Sequence, residues 1–314
     1  MGRPIPPSTA SVIVGGDGYL SFPAVARAGG RLAVIFRTAA GNPLDYDARI
    51  LITHSDDDGA TWSSPAVWVD APDCDSRNCG GGTLSDGTAH FVYDLHHRDG
   101  WRRPFVRFSD DGRCWTEPLH LDAHRPGAGE VQVTSVANRA VEWPDADTLY
   151  FPCFRGASVL LDRRRGVQSQ RPRVPRHEPA VARNRRGELV AFSKGGVIDV
   201  SADDGRSWVA AADVDCISQP DLLTLHDGSL LLCYSGKMRR DEWLLRCDDG
   251  HDVYEQAPSA LKVFEGDPAC ELDARGKAMA LQHHEEILTV LYEAAAGVGR
   301  IYLVRTPTAA LAEL

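Results

Sequence analysis

Basic and titratable side chains follow directly after one apolar segment of the chain, residues 88–93. They are Asp94, His96, His97 and Arg98. Histidine titrates near neutral pH and arginine holds oxyanions, so this group predicts anion binding or general acid–base catalysis. The alternative is a solvated loop without a chemical role, because polar loop residues are usually ordinary surface.

Two further reactive side chains stand at the ends of apolar segments. Glu178 opens the segment 178–183, where a buried carboxylate is costly unless it is paired, which makes it the strongest catalytic candidate. The alternative for Glu178 is a structural carboxylate that caps local backbone. Tyr234 closes the segment 229–234 and is also a catalytic candidate, with core packing as its alternative.

No metal or cofactor site is predicted. His283 and His284 lie in a short segment that is typical of a hairpin turn, and a metal bound there would lack a defined third ligand. The eight cysteines are scattered, without a C-x-x-C pair, and are expected to be reduced thiols.

Composition argues against several classes of partner. The 314 residues include 34 Lys and Arg against 44 Asp and Glu, a formal net charge of −10. Nucleic acids and membrane surfaces are bound through a basic protein surface, which an acidic chain lacks, so neither is an expected partner. No apolar run reaches the roughly 18 residues of a membrane helix, and no secretory signal is visible, so a cytoplasmic location is expected. We expect residues 1–314 to form one domain.

Three short segments repeat one pattern of aspartate, glycine and tryptophan. They read SDDDGATW (55–62), FSDDGRCW (108–115) and SADDGRSW (201–208). Aspartate accepts hydrogen bonds from its own loop, glycine supplies a positive φ and tryptophan packs on neighbouring strands, so the pattern predicts a structural turn. A calcium loop is the alternative, but it requires an acidic ligand near position twelve that these segments lack.

The spacing of the turns predicts the architecture. Glycines of the three turns and of two weaker echoes recur every 39 to 54 residues, the length of one propeller blade, and short β-rich segments lie between them. We therefore predict an all-β fold, a six-bladed β-propeller of four-stranded antiparallel blades that closes by pairing N-terminal residues with the last blade. The inner strands are expected to begin near residues 22, 79, 134, 178, 220 and 279.

A propeller of this kind binds ligands in its central cavity, at the face where the inner strands begin and opposite the acidic turns. Besides the residues above, that face is expected to receive the substrate-binding candidates Arg37, Arg155, His177, Asp221 and Lys237. Lys277, His283 and His284 are expected there from the last blade. The predicted partner is a small-molecule or glycan substrate.

The acidic turns and the segments HEPAVARNRRGELVAFSK (177–194), QPDLLTLHDGSLLLCYS (219–235) and ILTVLYE (287–293) resemble the sialidase superfamily. The resemblance implies three arginines that hold a substrate carboxylate, a glutamate that activates a tyrosine nucleophile, and an aspartate acid/base. By this resemblance Glu178 matches the glutamate and Asp45 or Asp47 the aspartate. Turn formation is the alternative for both aspartates. Lys194 stands where the second arginine is expected.

Several positions depart from the sialidase pattern. Ser21-Phe22-Pro23 replaces the segment of the first arginine, and the stretch ARGKAMALQHHEE (274–286) contains no tyrosine. Glu293 matches the glutamate that would brace the missing arginine. Lysine at the second arginine position supplies charge but no bidentate fork. An ordinary sialidase is therefore not expected.

Three function classes remain open. The first is an enzyme acting on a glycan, a sugar acid or a related small anionic substrate. The second is an enzyme of different chemistry on the same scaffold, such as a lyase or a biosynthetic enzyme. The third is a ligand-binding propeller without catalysis. Charged groups at the cavity favour the first two, and the missing nucleophile favours the last two over a true sialidase.

Overall fold

Six antiparallel sheets, each made of strands that follow one another in the sequence, surround a common axis as the blades of a β-propeller. The computed structural model describes residues 2–121, 135–136, 138–145, 147–153, 158–172, 174–214, 220–236, 241–253, 259–268, 270, 275–295 and 297–311. First strands of neighbouring blades contact one another along the axis. The predicted all-β fold of six blades is confirmed.

The strands are numbered in chain order. The N-terminal strands are β1 (Arg3–Pro4) and β2 (Thr9–Asp17). Blades one and two contain β3 (Tyr19–Ala28), β4 (Arg31–Ala39), β5 (Arg49–Ser55), β6 (Ala66–Val69), β7 (Cys74–Thr83), β8 (Ala89–His97), β9 (Arg102–Ser109) and β10 (Leu119–His120). Blades three and four contain β11 (Val141–Glu142), β12 (Thr148–Phe151), β13 (Ser158–Asp162), β14 (Val167–Arg171), β15 (Ala180–Arg183), β16 (Leu189–Phe192), β17 (Val197–Ser201) and β18 (Val209–Asp213). Blades five and six contain β19 (Asp221–Thr224), β20 (Leu230–Ser235), β21 (Asp241–Cys247), β22 (Leu261–Glu265), β23 (Arg275–His283), β24 (Glu286–Ala295) and β25 (Val298–Pro307).

The N-terminal residues close the ring. β2 pairs with β25 as the outer strand of the last blade, and β1 pairs with β22, which gives the fifth blade a fifth strand. Both pairings cover strand edges that would otherwise be open. The predicted closure by N-terminal residues is confirmed. The 3-10 helix Thr308–Leu311 follows β25, and no helix of the described residues is long and apolar enough to cross a membrane.

The second strand of most blades is apolar and lies in the core. β4, β8, β16, β20 and β24 coincide with five apolar segments of the sequence, and nearly all of their residues are buried. Each of these strands is covered on both faces by neighbouring blades, which is why its apolar residues run continuously instead of alternating with polar ones. The second strands thereby support the first strands, which carry the polar groups near the axis.

The three acidic turns connect the third and fourth strands of blades one, two and four. In the first turn Asp57 accepts hydrogen bonds from the backbone N–H (2.8 Å) and the hydroxyl (2.5 Å) of Thr61, and Gly59 has a φ of 87°. Asp111 and Asp203 accept equivalent backbone hydrogen bonds. These hydrogen bonds lower the pKa of all three carboxyls to about 2. The aspartates are therefore ionised turn formers.

Non-glycine residues with a left-handed backbone mark the start of four blades. Phe22, Asn78, Glu178 and Lys277 have φ values of 51°, 56°, 52° and 43°. Left-handed geometry is costly for residues with a Cβ and persists only where the surrounding structure enforces it. The four blades thus repeat one strained feature at the same level of the ring.

Bulges accompany three of these residues and explain the strand boundaries. β3, β7 and β23 shift register at Phe22, Asn78 and Lys277 and begin three to five residues before the predicted positions. The predicted starts near residues 22 and 79 lie inside the bulges, and regular pairing resumes at Ala24, Gly80 and Met279. A bulge redirects the side chains beside it, so these positions set the geometry of the site.

Candidate functional site

The face of the ring where the first strands begin, called the hub face here, carries the candidate site. The acidic turns lie at the opposite face, as predicted: Arg183, at the end of β15, pairs with Asp204 of the third acidic turn, and Arg27, near the end of β3, pairs with Asp58 of the first. Residues at strand starts and residues at acidic turns therefore belong to different faces of the molecule.

Lys277 is a buried cation at the hub face. Its Nζ donates a hydrogen bond to the carbonyl oxygen of Cys79, which links the last blade to the second. Burial lowers the pKa of Lys277 to about 8, although the nearby charges of Asp221, Asp94 and Glu178 favour the protonated form. A lysine with this pKa exchanges a proton close to neutral pH.

Asp94 holds the start of the third blade. It is fully buried on β8, where Oδ2 accepts hydrogen bonds from Asn78 (2.8 Å) and from the hydroxyl of Ser135, and Oδ1 accepts one from the backbone N–H of Val136 (3.1 Å). His96 lies on the same strand, with Nε2 3.8 Å from Oδ2 of Asp94. Both ring nitrogens of this buried histidine lack a hydrogen-bond partner in the described part of the chain.

Asp221 forms a bidentate ion pair with Arg139 of the third blade. The Nε–Oδ1 and Nη2–Oδ2 distances are 3.1 and 2.5 Å, and the backbone N–H of Ala280 also donates to Oδ2 at 2.9 Å. Asp221 is fully buried, and Arg139 donates a further hydrogen bond to the carbonyl of Ala280. The carboxylate predicted to bind substrate thus joins blades three, five and six.

Glu178 combines a hydrogen-bonded oxygen with one that has no partner. Its Oε1 accepts a hydrogen bond from Nζ of Lys194 at 3.0 Å and lies 3.5 Å from Nδ1 of His177. Its side chain is 6% exposed, and no residue donates to Oε2 within the described ranges. The Lys194 side chain remains 36% exposed. Three predicted site residues, Glu178, His177 and Lys194, therefore meet at the start of the fourth blade.

Arg37 is fully buried and engaged in an ion pair with Asp75. The Nε–Oδ1 and Nη2–Oδ2 distances are 2.9 and 3.0 Å, and the remaining donors bind the carbonyls of Gly41 and Pro43. The backbone N–H of Asp45 donates to the same carboxylate at 3.1 Å. These contacts hold the loop between β4 and β5 against β7.

Arg77 is a second guanidinium on the same carboxylate and is more accessible. It donates to Oδ2 of Asp75 at 3.2 Å, its side chain is 15% exposed, and its buried Nε has no partner among the described residues. Its guanidinium lies 5.5 Å from the ring centre of Phe22. Burial lowers the pKa of Arg77, and the charge of Asp75 opposes that shift.

The loop aspartates differ in what their carboxylates do. Asp45 accepts hydrogen bonds from the backbone N–H groups of Ala40 (2.7 Å) and Asp47 (3.0 Å), and the bond from Ala40 is the main reason why its pKa is lowered. Asp47 is exposed. The contacts of Asp45 are those of a turn former, and an acid with a lowered pKa is a poor proton donor near neutral pH.

The other predicted site residues in the described part of the chain have local contacts. His97 stacks on Trp101 with ring centres 4.6 Å apart, and Arg98 lies over the Tyr46 ring and pairs with Asp73. Tyr234 is buried and packs edge-on against Phe192. Arg155 and Lys237 lie outside the described residues.

Glu293 has taken a structural role. Its carboxylate accepts hydrogen bonds from the backbone N–H groups of Gly2 (3.0 Å) and Asp267 (2.7 Å) and from the hydroxyl of Tyr302 (3.0 Å). The glutamate that would brace an arginine in a sialidase pattern here holds the N-terminal strand. Ser21, in the position of that arginine, is buried.

The expected position of His283 and His284 at the hub face is wrong. Both lie at the far end of β23 beside Asp58, and the ligand atoms of the three residues lie within 4.8 Å of one another. Asp58 thus provides the third ligand that the sequence did not define. However, Arg27 donates to Nδ1 of His283 at 2.9 Å, and Nε2 lies 3.0 Å from Asp58. Because Nδ1 accepts a hydrogen bond from Arg27, the proton of the neutral imidazole lies on Nε2, which faces Asp58. In this tautomer Nε2 cannot bind a metal.

Four charged residues escaped the sequence reasoning, namely Asp75, Arg77 and Glu242 near the strand starts and Arg139, the partner of Asp221. Glu242 is buried opposite Ser235, whose hydroxyl donates to it at 2.5 Å, and burial raises its pKa to about 7. No local motif marks these residues. The one usable signal was the position of Arg77 near the start of an inner strand.

Comparison with solved structures identifies the same fold in other proteins. A Dyadobacter fermentans protein of unknown function superposes with a TM-score of 0.74 at 18% identity, covering 96% of this chain and 100% of that one. The Trypanosoma rangeli sialidase in complex with 2,3-difluorosialic acid gives 0.72 at 14% identity, and a Hadza microbial sialidase gives 0.63 at 15%. The superposition covers 97% of this chain but only 59% of the trypanosomal chain. No family model and no curated protein matches the sequence.

Identities this low establish the fold and no activity. The fold and the charged hub face define a sialidase-like six-bladed propeller. In this chain Ser21 is buried, Lys194 pairs with Glu178, and Glu293 binds backbone N–H groups.

Proposed function

We propose that this protein is an enzyme that binds a small anionic sugar derivative, such as a sugar acid, at the hub face, and that it is not an ordinary sialidase. Glu178 is the proposed acid/base, and Lys194 and Arg77 are the proposed contacts of the substrate anion. The observation that carries the proposal is the Glu178 carboxylate, whose Oε2 is shielded from water and has no partner among the described residues. An unpaired buried oxygen of this kind is costly and is typical of a group kept for a ligand.

The charges around Glu178 support acid–base work. Lys194 holds one carboxylate oxygen at 3.0 Å and leaves the other free to accept a proton from a substrate hydroxyl or carbon acid. The Lys194 ammonium is partly exposed, so it can contact a substrate carboxylate while it orients Glu178. Arg77 supplies a second cation, whose side chain is 15% exposed.

The departures from the sialidase pattern support a different reaction. The described part of β23 contains no tyrosine, and Glu293 is occupied by backbone N–H groups. Without a tyrosine in β23, that strand offers no nucleophile for the covalent intermediate of sialidases. Proton abstraction by Glu178 needs no such nucleophile, which favours lyase-type chemistry as the second candidate.

The test is a binding and activity comparison of the wild type with Glu178→Gln. Sialic acid and uronic acids serve as ligands in calorimetric titrations, and a fluorogenic sialoside serves as the sialidase substrate. We expect sugar-acid binding by the wild type and little or no sialoside turnover. Glu178→Gln should weaken binding by about 10- to 100-fold, since a hydrogen bond to a charged group contributes about 1.5–3 kcal/mol.

Glu117→Gln is the matched control, because Glu117 is an exposed carboxylate outside the hub face. It should bind like the wild type, and thermal unfolding should show that both variants are folded. Sialoside turnover typical of a sialidase would contradict the proposed difference from that class. Equal ligand affinity of the wild type and Glu178→Gln would remove Glu178 from the site.

A further inference from the structure

A cavity lies at the face of the ring opposite the hub face, where the first strands end. It has a volume of about 800 Å³ and is lined by residues of all six blades, including both apolar side chains such as Leu84 and Leu281 and polar ones. This volume is within the range of pockets that hold small organic ligands, roughly 300–1,000 Å³. We call this cavity the lower cup.

Basic side chains dominate the polar lining of the lower cup. They are Arg27, Arg139, Arg183, His226, His283 and His284. Among the described lining residues, one carries a carboxylate, Glu142, and its oxygens accept hydrogen bonds from the backbone N–H (2.8 Å) and the hydroxyl (2.7 Å) of Ser85. The protein as a whole has a net charge of −10, so a cavity with this lining is unusual for its surface.

The aspartates that pair with the three arginines stand outside the lining. Asp58 lies 3.5 Å from Arg27, Asp204 lies 3.3 Å from Arg183, and Asp221 lies 2.5 Å from Arg139, yet none of the three lines the cup. These ion pairs restrain the three guanidinium groups, so less side-chain freedom is lost when they bind a ligand.

His226 and His284 are exposed at the rim of the cup. The Nε atoms of Arg27 and Arg183 are buried and have no partner in the described part of the chain. Guanidinium and imidazole groups from different blades match a ligand whose anionic groups are several ångströms apart.

We propose that the lower cup binds a small organic molecule with two or more anionic groups, carboxylate or phosphate. The buried Arg139–Asp221 pair lies between the cup and the hub face, so this site is separate from the one around Glu178. The apolar wall accommodates the carbon skeleton of the ligand, and Arg27, Arg139 and Arg183 hold its anionic groups.

The experiment titrates the full chain with citrate and with pyrophosphate at constant ionic strength, using calorimetry. The test variant is the double substitution Arg27→Gln and Arg183→Gln. The matched control is Arg164→Gln, which removes an arginine that is 78% exposed, pairs with Asp147 and does not line the cup. Thermal unfolding without ligand verifies that each variant is folded.

We expect saturable binding of at least one probe by the wild type, and about tenfold or greater weakening in the double variant, because charge-assisted hydrogen bonds are lost. Citrate binding alone would identify carboxylates as the ligand groups, and pyrophosphate binding alone would identify phosphates. Arg164→Gln should bind like the wild type. Absence of binding of both probes, equal affinity in the double variant, or equal weakening by Arg164→Gln would overturn the proposal.

Discussion

Replacement of His90 by glutamine should remove part of the acid sensitivity of the fold. His90 lies on β8, and its Nε2 accepts a hydrogen bond from the backbone N–H of Ala140 at 2.9 Å. Burial, together with the charges of Arg139 and Arg163, lowers the pKa of His90 to about 3. Protonation of His90 would put a proton on Nε2, which faces the backbone N–H of Ala140 and would no longer be an acceptor. The carbonyl oxygen of a glutamine side chain can accept that hydrogen bond and does not titrate.

The magnitude follows from the difference between the folded and unfolded pKa. A histidine with an unfolded pKa of 6.5 and a folded pKa of about 3 binds more protons in the unfolded chain at any pH below 6.5. The folded state is therefore fully favoured above pH 6.5 and loses stability as the pH falls. One pKa unit corresponds to about 1.36 kcal/mol, so lowering the pH from about 7.5 to 5 should cost about 2 kcal/mol through His90 alone.

The assay is urea unfolding of the wild type and of His90→Gln at both pH values. The free energy of unfolding of the wild type should fall by about 2 kcal/mol more than that of the variant. His226→Gln, which replaces an exposed histidine, is the control and should follow the wild type. An identical pH dependence of His90→Gln and the wild type would refute the reasoning, because protonation of His90 would then not be coupled to unfolding.

Three further predictions concern buried carboxylates. Asp75→Asn should lower the free energy of unfolding by about 3–5 kcal/mol, measured by urea unfolding, because it leaves the buried Arg37 charge without its partner. Glu293→Gln should loosen the N-terminal strand, seen as faster hydrogen exchange near Gly2, since an amide cannot accept all of its hydrogen bonds. Glu242→Gln should stabilise the fold at about pH 8, by up to about 3 kcal/mol, and have little effect below pH 4.5, because burial favours the neutral acid.

Each of these predictions has a control in the same assay. Asp70→Asn breaks an exposed ion pair with Arg49 and should change stability by less than about 1 kcal/mol. Glu117→Gln serves the other two as an exposed carboxylate. Equal effects of Asp75→Asn and Asp70→Asn, unchanged exchange in Glu293→Gln, or a pH-independent effect of Glu242→Gln would each contradict the corresponding argument.

Part of the candidate site was predictable because its residues are close in sequence. Glu178 and His177 are adjacent, and Lys194 follows one hairpin later, so an antiparallel pair of strands must bring them together. The contacts of Arg37 were not predictable, since Asp75 belongs to the next blade and enters through β7. The position of His283 was wrong for a related reason: the bulge at Lys277 and the length of β23 place the histidine at the other face.

The sequence by itself determined the propeller. Turn chemistry and apolar segments act over a few residues, so they specify the acidic turns, the second strands and the number of blades without reference to the rest of the chain. Only the tertiary structure decided which charges meet at the axis. Lys277 with Cys79, and Arg139 with Asp221, are far apart in the sequence and come together because the ring closes and the bulges set the register of its first strands.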